Sequence, residues 1–419
     1  MRKLVFERGV FIALLFSFYL GTVNGQVLNY QVKVMSWNLL NFPNSTPTDD
    51  STLRCPAYRT VLRYAEPDIL ITVENTSATG ASWILSNVMN TGAYHYAEGT
   101  FINGYDSDNA IYYRDSLFHF ISNVPIHTAL RDISHFTLEF IPTGDTLHFF
   151  AVHLKASLGY EADRSAEVGL LRQVTNALPA GSNFLVVGDF NFYGDSEPGY
   201  QSLLYDNGTN DGHFNDVANL SGTWNSPWYA QWHTQSTRLT SVGGGSTGGM
   251  DDRFDMILFS NAVEQPTGVF YLPGTFHGIG NDGHHYNQSI NSGTNTSVSA
   301  SVANALYNAS DHLPVMLTLE IGPTSGVDEL NPVISDLKVV PNPIESESHI
   351  QFNLREPSKL NFRIYDAMGR LSWESGEQSF FPGINTLVPE WSEIQGSGVF
   401  FLSVSGYKNL ISSRLMIVR

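Results

Sequence analysis

Short, mainly apolar runs recur from Tyr30 to Glu320, several of them stopping at a polar or ionisable residue. Val32–Trp37, Ile69–Val73, Ala110–Tyr113, Leu147–Leu154, Phe184–Val187, Phe254–Phe259 and Pro314–Ile321 all have strand length. An unbroken apolar run is the pattern of a strand buried on both faces. Glu161–Leu178 changes period, placing Val168, Leu171, Val174 and Leu178 on one helical face. Tyr58–Tyr64, stopped by Glu66-Pro67, reads as a second, short helix. Buried strands alternating with helices predict a mixed α/β domain.

Such a domain has to be held by its core, because Cys55 is the only cysteine among 419 residues and no internal disulfide is possible. A charged share of 15% lies well under the typical value of about 25%, which excludes charge-driven disorder and a coiled coil. The length favours two to three domains. Forty acidic residues oppose 22 basic ones, a formal charge of −18. That argues against a protein that holds nucleic acid by charge alone, since such binding rests on Lys and Arg neutralising phosphates. An enzyme whose positive charge is a bound cation stays open.

The first residues read as a secretory leader. Arg2, Lys3 and Arg8 precede the apolar stretch Gly9–Leu20, and Val23-Asn24-Gly25 offers a cleavage site before Gln26. A membrane anchor is the alternative, but the apolar stretch falls short of the roughly 20 residues a span requires. The expected organisation is therefore a leader at 1–25, a catalytic domain at 26–321, a linker at 322–336 opening on Gly322-Pro323, and a final domain at 337–419. That last segment has short strands at regular spacing with Pro and Gly punctuation, the pattern of a small all-β sandwich. Gly243–Gly249 is expected to be mobile, because glycine resists ordering.

The chemistry sits at the ends of the apolar runs: Ser36-Trp37-Asn38, Val73-Glu74-Asn75, Val152-His153-Leu154, Gly188-Asp189-Phe190-Asn191, Arg253-Phe254-Asp255 and Ser310-Asp311-His312-Leu313. Strand ends converge on one rim of a sheet, so these clusters are candidates for one site. Oxygen donors suit a hard cation such as Mg²⁺, Mn²⁺ or Ca²⁺, and His suits proton transfer. Zinc fits less well, with no HExxH motif and no cysteine cluster. Taken singly, each residue has a plainer reading. Glu74 is then a solvated acid, His153 a satisfied core histidine and Asp311 a turn cap, while Arg164 and Lys155 become solvated surface. His277, His284 and His285 fit no metal-ligand spacing and read as a surface loop.

Together, SWNL, VEN, VHLKA, GDFN, DRFD and SDHLPV resemble the endonuclease/exonuclease/phosphatase superfamily in its own order from Val32 to Leu319. The resemblance implies the DNase I-like four-layer α/β sandwich, two packed sheets flanked by helices. It also implies metal-dependent phosphodiester hydrolysis, with Mg²⁺ first and Mn²⁺ or Ca²⁺ as alternatives. By that likeness Glu74 is the principal metal ligand, Asn38 orients metal or phosphate beside it, and Asp311 supports the metal site. His312 is the general base, oriented by Asp255. Asp189 and Asn191 position nucleophile and phosphate. His153 is the general acid or phosphate-stabilising histidine with Asp108 as its carboxylate partner, and Arg164 is a candidate phosphate contact. DNase I carries an arginine where Asn75 and Thr76 follow Glu74 here, which weakens duplex DNA as the substrate.

Val339-Val340-Pro341-Asn342-Pro343, Phe362–Arg370 and Gly398–Phe401 resemble the type A sorting domain of the type IX secretion system. That likeness implies export across both membranes of a Gram-negative bacterium and the secretion machinery as a partner. A carbohydrate-binding sandwich is the plainer reading. The expected function is an extracellular nuclease acting on nucleic acid. A phospholipid phosphodiesterase using the same site is the alternative, and a non-catalytic binding protein is the reading from a different class.

Overall fold

The computed structural model describes residues 29–44, 54–322 and, with short breaks, 334–417. The leader and most of the linker expected from the sequence, residues 323–333, lie outside these residues, and the linker's expected end at 334–336 falls within β13. In chain order the first part runs β1 (Tyr30–Phe42), α1 (Arg54–Ala65), β2 (Ile69–Asn75), α2 (Ala78–Asn87), β3 (Tyr96–Glu98), β4 (Asp108–Arg114), β5 (Phe118–Ile126), β6 (Ile133–Phe140) and β7 (Asp145–His153). It continues through α3 (Glu161–Thr175), β8 (Asn183–Asp189), α4 (Pro198–Leu204), β9 (Asp255–Phe259), α5 (Asn261–Glu264), β10 (Val269–Tyr271), β11 (His277–Gly278), α6 (Ala300–Ala309) and β12 (Val315–Ile321).

Two sheets pack face to face. One has the order β10-β12-β1-β2-β4-β3, with β11 beside β12, and the other the order β5-β6-β7-β8-β9. Period-two alternation sorts the side chains of each strand. Val32 and Val34 of β1 join Phe149 and Ala151 of β7 in the inter-sheet core. Met35 and Trp37 point the other way, into a layer with α1 and α6. Phe150 and Val152 of β7 likewise meet Val168 and Leu171 of α3 on the far side. The result is the expected four-layer α/β sandwich, and burial on both faces explains the unbroken apolar runs. Helix starts follow local chemistry: Ser77 accepts from Gly80 N at 3.1 Å and Ser299 from Val302 N at 3.4 Å, capping α2 and α6.

β5 and β6 were not legible as separate runs, because exposed and buried residues mix along β5. The expected helix at Tyr58–Tyr64 begins earlier, at Arg54, and buries Cys55. The last described part is all-β and antiparallel: β13 (Ile334–Val340), β14 (His349–Leu354), β15 (Ser358–Asp366), β16 (Leu371–Phe380), β17 (Gly383–Leu387), β18 (Gly398–Gly406) and β19 (Asn409–Ile417). These form a three-stranded and a four-stranded sheet around a core of their own that includes Ile350, Phe352, Phe362 and Leu402. Among the described residues, no helix is long and apolar enough to cross a membrane.

Candidate active site

In the first part, the two parallel strand pairs are β1–β2 and β7–β8. Their C-terminal ends meet. Glu74 is the penultimate residue of β2, His153 closes β7 and Asp189 closes β8, and one ligand atom from each lies within 4.8 Å of the others. His153 Nε2 is 3.6 Å from Glu74 Oε1 and 3.7 Å from Asp189 Oδ2. From β1, Asn38 donates its side-chain amide to Glu74 Oε1 at 2.9 Å and to Asp189 Oδ2 at 3.1 Å. Asn41 N donates to Glu74 Oε2 at 2.8 Å. The cavity above this cluster holds about 350 Å³.

The backbone around the cavity is strained. Leu40, Asn41, Glu74, Ser157 and Asn191 line it and all have positive φ, 60° at Glu74 and 51° at Asn191. Each such residue costs roughly 1–3 kcal/mol, and the cost persists only where surrounding structure enforces it. Gly188 shows how tightly β8 is seated: at φ 132°, a Cβ there would lie 2.0 Å from the Val152 carbonyl oxygen of β7.

The cluster is short of positive charge. Burial pushes the Asp189 carboxyl up to about 7, against the pull of His312 and with Asp255 and Glu74 adding repulsion. Burial also raises Glu74, although His312 and Asn38 oppose it. Burial holds His153 well below its ordinary value, and Arg131 and His312 push in the same direction, so it is neutral. Two buried carboxylates and one neutral imidazole fit a divalent cation. His153 Nδ1 is buried without a hydrogen-bond partner.

Opposite stands His312, just before β12. Its Nδ1 lies 2.7 Å from Asp255 Oδ2, and its Nε2 lies 3.6 Å from Asp189 Oδ2. Asp255 is placed by register, as the β9 residue paired with Asp189 of β8. Burial alone would lower His312, but Asp255, Asp189 and Asp311 outweigh it and raise the ring well above its ordinary value. Ser310 Oγ locks the turn, donating to Asn38 O at 2.7 Å and accepting from His312 N at 3.1 Å. Asn191 lines the cavity with one amide hydrogen given to Leu154 O at 3.1 Å.

The expectations for Asp108, Arg164 and His285 change. Asp108 does not partner His153: its Oδ1 accepts from Gly104 N at 2.8 Å, because the 104–108 turn folds back on that carboxylate. Arg164 does not reach the cavity. It is fully buried beneath it, donating to Glu197 at 2.8 Å and to the carbonyls of Lys155 and Ser157 at 2.9 Å. Asn38 clamps the two carboxylates through its amide, and its Oδ1 accepts from Leu40 N at 2.9 Å. His153, which burial holds neutral, is suited to ligation or to the phosphate-stabilising N–H contact that was one of its two expected roles. Asp311 lies beside the cluster and accepts from Ser246 N at 2.6 Å, so Gly243–Gly249 walls the cavity with Gly245, Ser246 and Thr247. His285 is buried, not on the surface, between Asp282 at 2.8 Å and Ser292 O at 2.9 Å. Sequence reasoning missed Gln235, which lines the cavity and donates to His312 Nε2 and to Asp311.

The family model described as Endonuclease/Exonuclease/phosphatase matches residues 35–312, a span that runs from β1 to His312 itself. The chain belongs to the endonuclease/exonuclease/phosphatase family. It is accordingly a metal-dependent hydrolase of phosphoester bonds. No curated protein matches. Among solved structures, truncated Caenorhabditis elegans TDP2 is 18% identical over 69% of this chain and 98% of that one, with a TM-score of 0.44. The human Nocturnin catalytic domain with bound sulfate is 18% identical over 71% and 98%, at 0.42. A Bacteroides thetaiotaomicron mannosyl-6-phosphatase is 17% identical over 69% and 99%, at 0.43.

Proposed function

We propose that this chain is an exported phosphodiesterase that cleaves nucleic-acid strands by metal-assisted attack of water. The observation that carries the chemistry is the Glu74–His153–Asp189 cluster facing the His312–Asp255 pair across 3.6 Å. In this reading Glu74, Asp189 and His153 hold the cation. Mg²⁺ is first, and a nitrogen donor in the set also suits Mn²⁺. When bound, the cation supplies positive charge to the nonbridging phosphate oxygens.

The chain's own residues do the rest. His312 Nε2 takes the proton of the attacking water while Asp255 fixes Nδ1–H and so the tautomer. The water oxygen bonds to phosphorus, the bond to the leaving oxygen breaks, and that oxygen takes a proton from solvent water while His312 returns its own to solvent. Asn191 contacts a phosphate oxygen, and Asn38 keeps Glu74 and Asp189 converged. Asp311 supports the wall of the cavity. Export rests on a leader at 1–25 and a type IX sorting domain at 337–419 after the linker, with the catalytic domain at 26–321.

One observation favours a second substrate class, a phospholipid or other small phosphodiester. The described residues lining the cavity include Glu74, Asp189, Asp251, Asp252 and Asp311, and no Lys or Arg. A polyanionic strand gains nothing from such a wall. The test uses the full chain with Mg²⁺ plus Ca²⁺ on supercoiled plasmid and, in parallel, on phosphatidylcholine vesicles, with EDTA and His312→Ala controls. Plasmid nicking that both controls abolish supports the nuclease reading. Lipid cleavage without nicking moves the second class to the front.

A further inference from the structure

We propose that Gln235 is a positioning residue for hydrolysis, holding the ring of His312 and tying it through Asp311 to the glycine-rich wall at 243–249. This rests on His312 being the base. Gln235 sits in no strand, yet its backbone is pinned from both sides. Gln235 N donates to Asp252 O at 3.1 Å, and its own carbonyl accepts from Asp251 N and Asp252 N, each at 2.9 Å. Two residues on, Thr237 N donates to Asp311 O at 3.0 Å. The side chain is 8% exposed and faces the cavity.

Its amide nitrogen spans two acceptors, Asp311 Oδ2 at 3.3 Å and His312 Nε2. Asp255 fixes one ring nitrogen of His312 only, and a single contact leaves the imidazole free to pivot about its long axis. The Gln235 amide N–H meets the Nε2 lone pair itself, so in the resting site it sets the ring's tilt about that axis and yields the lone pair when the attacking water arrives. When the attacking water takes its place at Nε2, the Gln235 amide keeps its hold on Asp311.

Asp311 extends the chain of contacts outward. The same Oδ2 accepts from Ser246 N at 2.6 Å, and Ser236 Oγ donates to Ser246 O at 2.8 Å. Arg238 Nη1 donates to Val242 O at 2.7 Å. Gly245, at φ 79°, fits only because it lacks a side chain: a Cβ would lie 2.7 Å from the Asp311 carboxylate and 2.8 Å from Leu40 Cδ1. The wall, Asp311, Gln235 and His312 therefore form one continuous hydrogen-bonded path. A displaced wall is felt at the base.

The test compares Gln235→Met, which keeps length and removes the donor, with Gly245→Ala and the double variant, all in the full chain. The substrate is bis(4-nitrophenyl) phosphate with Mg²⁺, and His312→Ala serves as the reference. Gln235→Met is expected to lower kcat about tenfold, the size of one lost orienting hydrogen bond, with KM and thermal midpoint unchanged. Gly245→Ala is expected to lower kcat in the parent and to add little in the double variant. A kcat for Gln235→Met within twofold of the parent, beside an inactive His312→Ala, overturns the role of Gln235 alone. Activity in His312→Ala overturns the reading of the site. A raised KM at constant kcat makes Gln235 a substrate contact and overturns the positioning role, and additive losses overturn the coupling to the wall. Should Gln235→Met fail to fold, the unaltered chain decides: a Gln235 amide proton with no NMR coupling to His312 Nε2 overturns the proposal.

Discussion

Asp255→Asn separates orientation from charge at the base. The carboxylate meets His312 Nδ1 at 2.7 Å inside the protein, and its other oxygen, Oδ1, is buried without a partner. Asparagine has two ways to sit there. With its carbonyl toward Nδ1–H, the NH₂ group lands where no acceptor exists, destabilising the fold by about 1–3 kcal/mol. With the NH₂ toward Nδ1, the ring proton must move to Nε2, and the lone pair that accepts the water proton disappears. Either way activity falls, by about 10²–10⁴ if general base catalysis is lost, which is about 2.7–5.5 kcal/mol of barrier. The pH profile shifts too. Asp255 is among the carboxylates that raise His312; without it burial gains weight, so the acid limb of kcat/KM moves to lower pH. The assay is hydrolysis of bis(4-nitrophenyl) phosphate from pH 5 to 9 with saturating Mg²⁺, alongside a melting curve. A variant with parental kcat and an unmoved acid limb refutes the argument.

Two further outcomes follow from the charges. Burial pushes the Asp189 carboxyl up to about 7 in the folded chain, well above the usual carboxylate range, so folding favours its protonated form. The metal-free protein therefore loses stability as pH rises from about 4 to 7. Urea unfolding at pH 5 and pH 8, with and without Mg²⁺, measures this, and the cation is expected to remove most of the difference. Arg164→Ala leaves Glu197 buried without its partner at 2.8 Å, and is expected to destabilise the chain by about 3–5 kcal/mol. A raised KM with an unchanged melting temperature would instead return Arg164 to the substrate.

Much of the site was legible because strand ends are conspicuous in sequence. Glu74, His153 and Asp189 each end an apolar run, and the parallel pairings β1–β2 and β7–β8 bring those ends together. Asp255 opens β9 and His312 precedes β12, both antiparallel to their neighbours, so they arrive at the same rim from the opposite direction. What the sequence hid was the direction of side chains off the strands. Asp108 begins β4 close to the site in sequence logic, yet a turn at Gly104 captures its carboxylate. Arg164 lies on the predicted face of α3 but is drawn under the loop by Glu197. Gln235 belongs to no apolar run, and its position depends on backbone pairing with Asp252, more than a dozen residues away. The composition of the glycine-rich segment does not reveal its hydrogen bond to Asp311, because the partner lies 65 residues away in sequence.

The most direct test of the central claim is metal binding measured together with turnover. Mn²⁺ and Mg²⁺ are titrated calorimetrically into the parent chain and into Glu74→Gln, and bis(4-nitrophenyl) phosphate hydrolysis is followed over the same concentrations. The account predicts binding by the parent, activity that rises with the same midpoint, and loss of both in Glu74→Gln. Hydrolysis that persists in EDTA, or a Glu74→Gln chain that keeps both binding and activity, would contradict it.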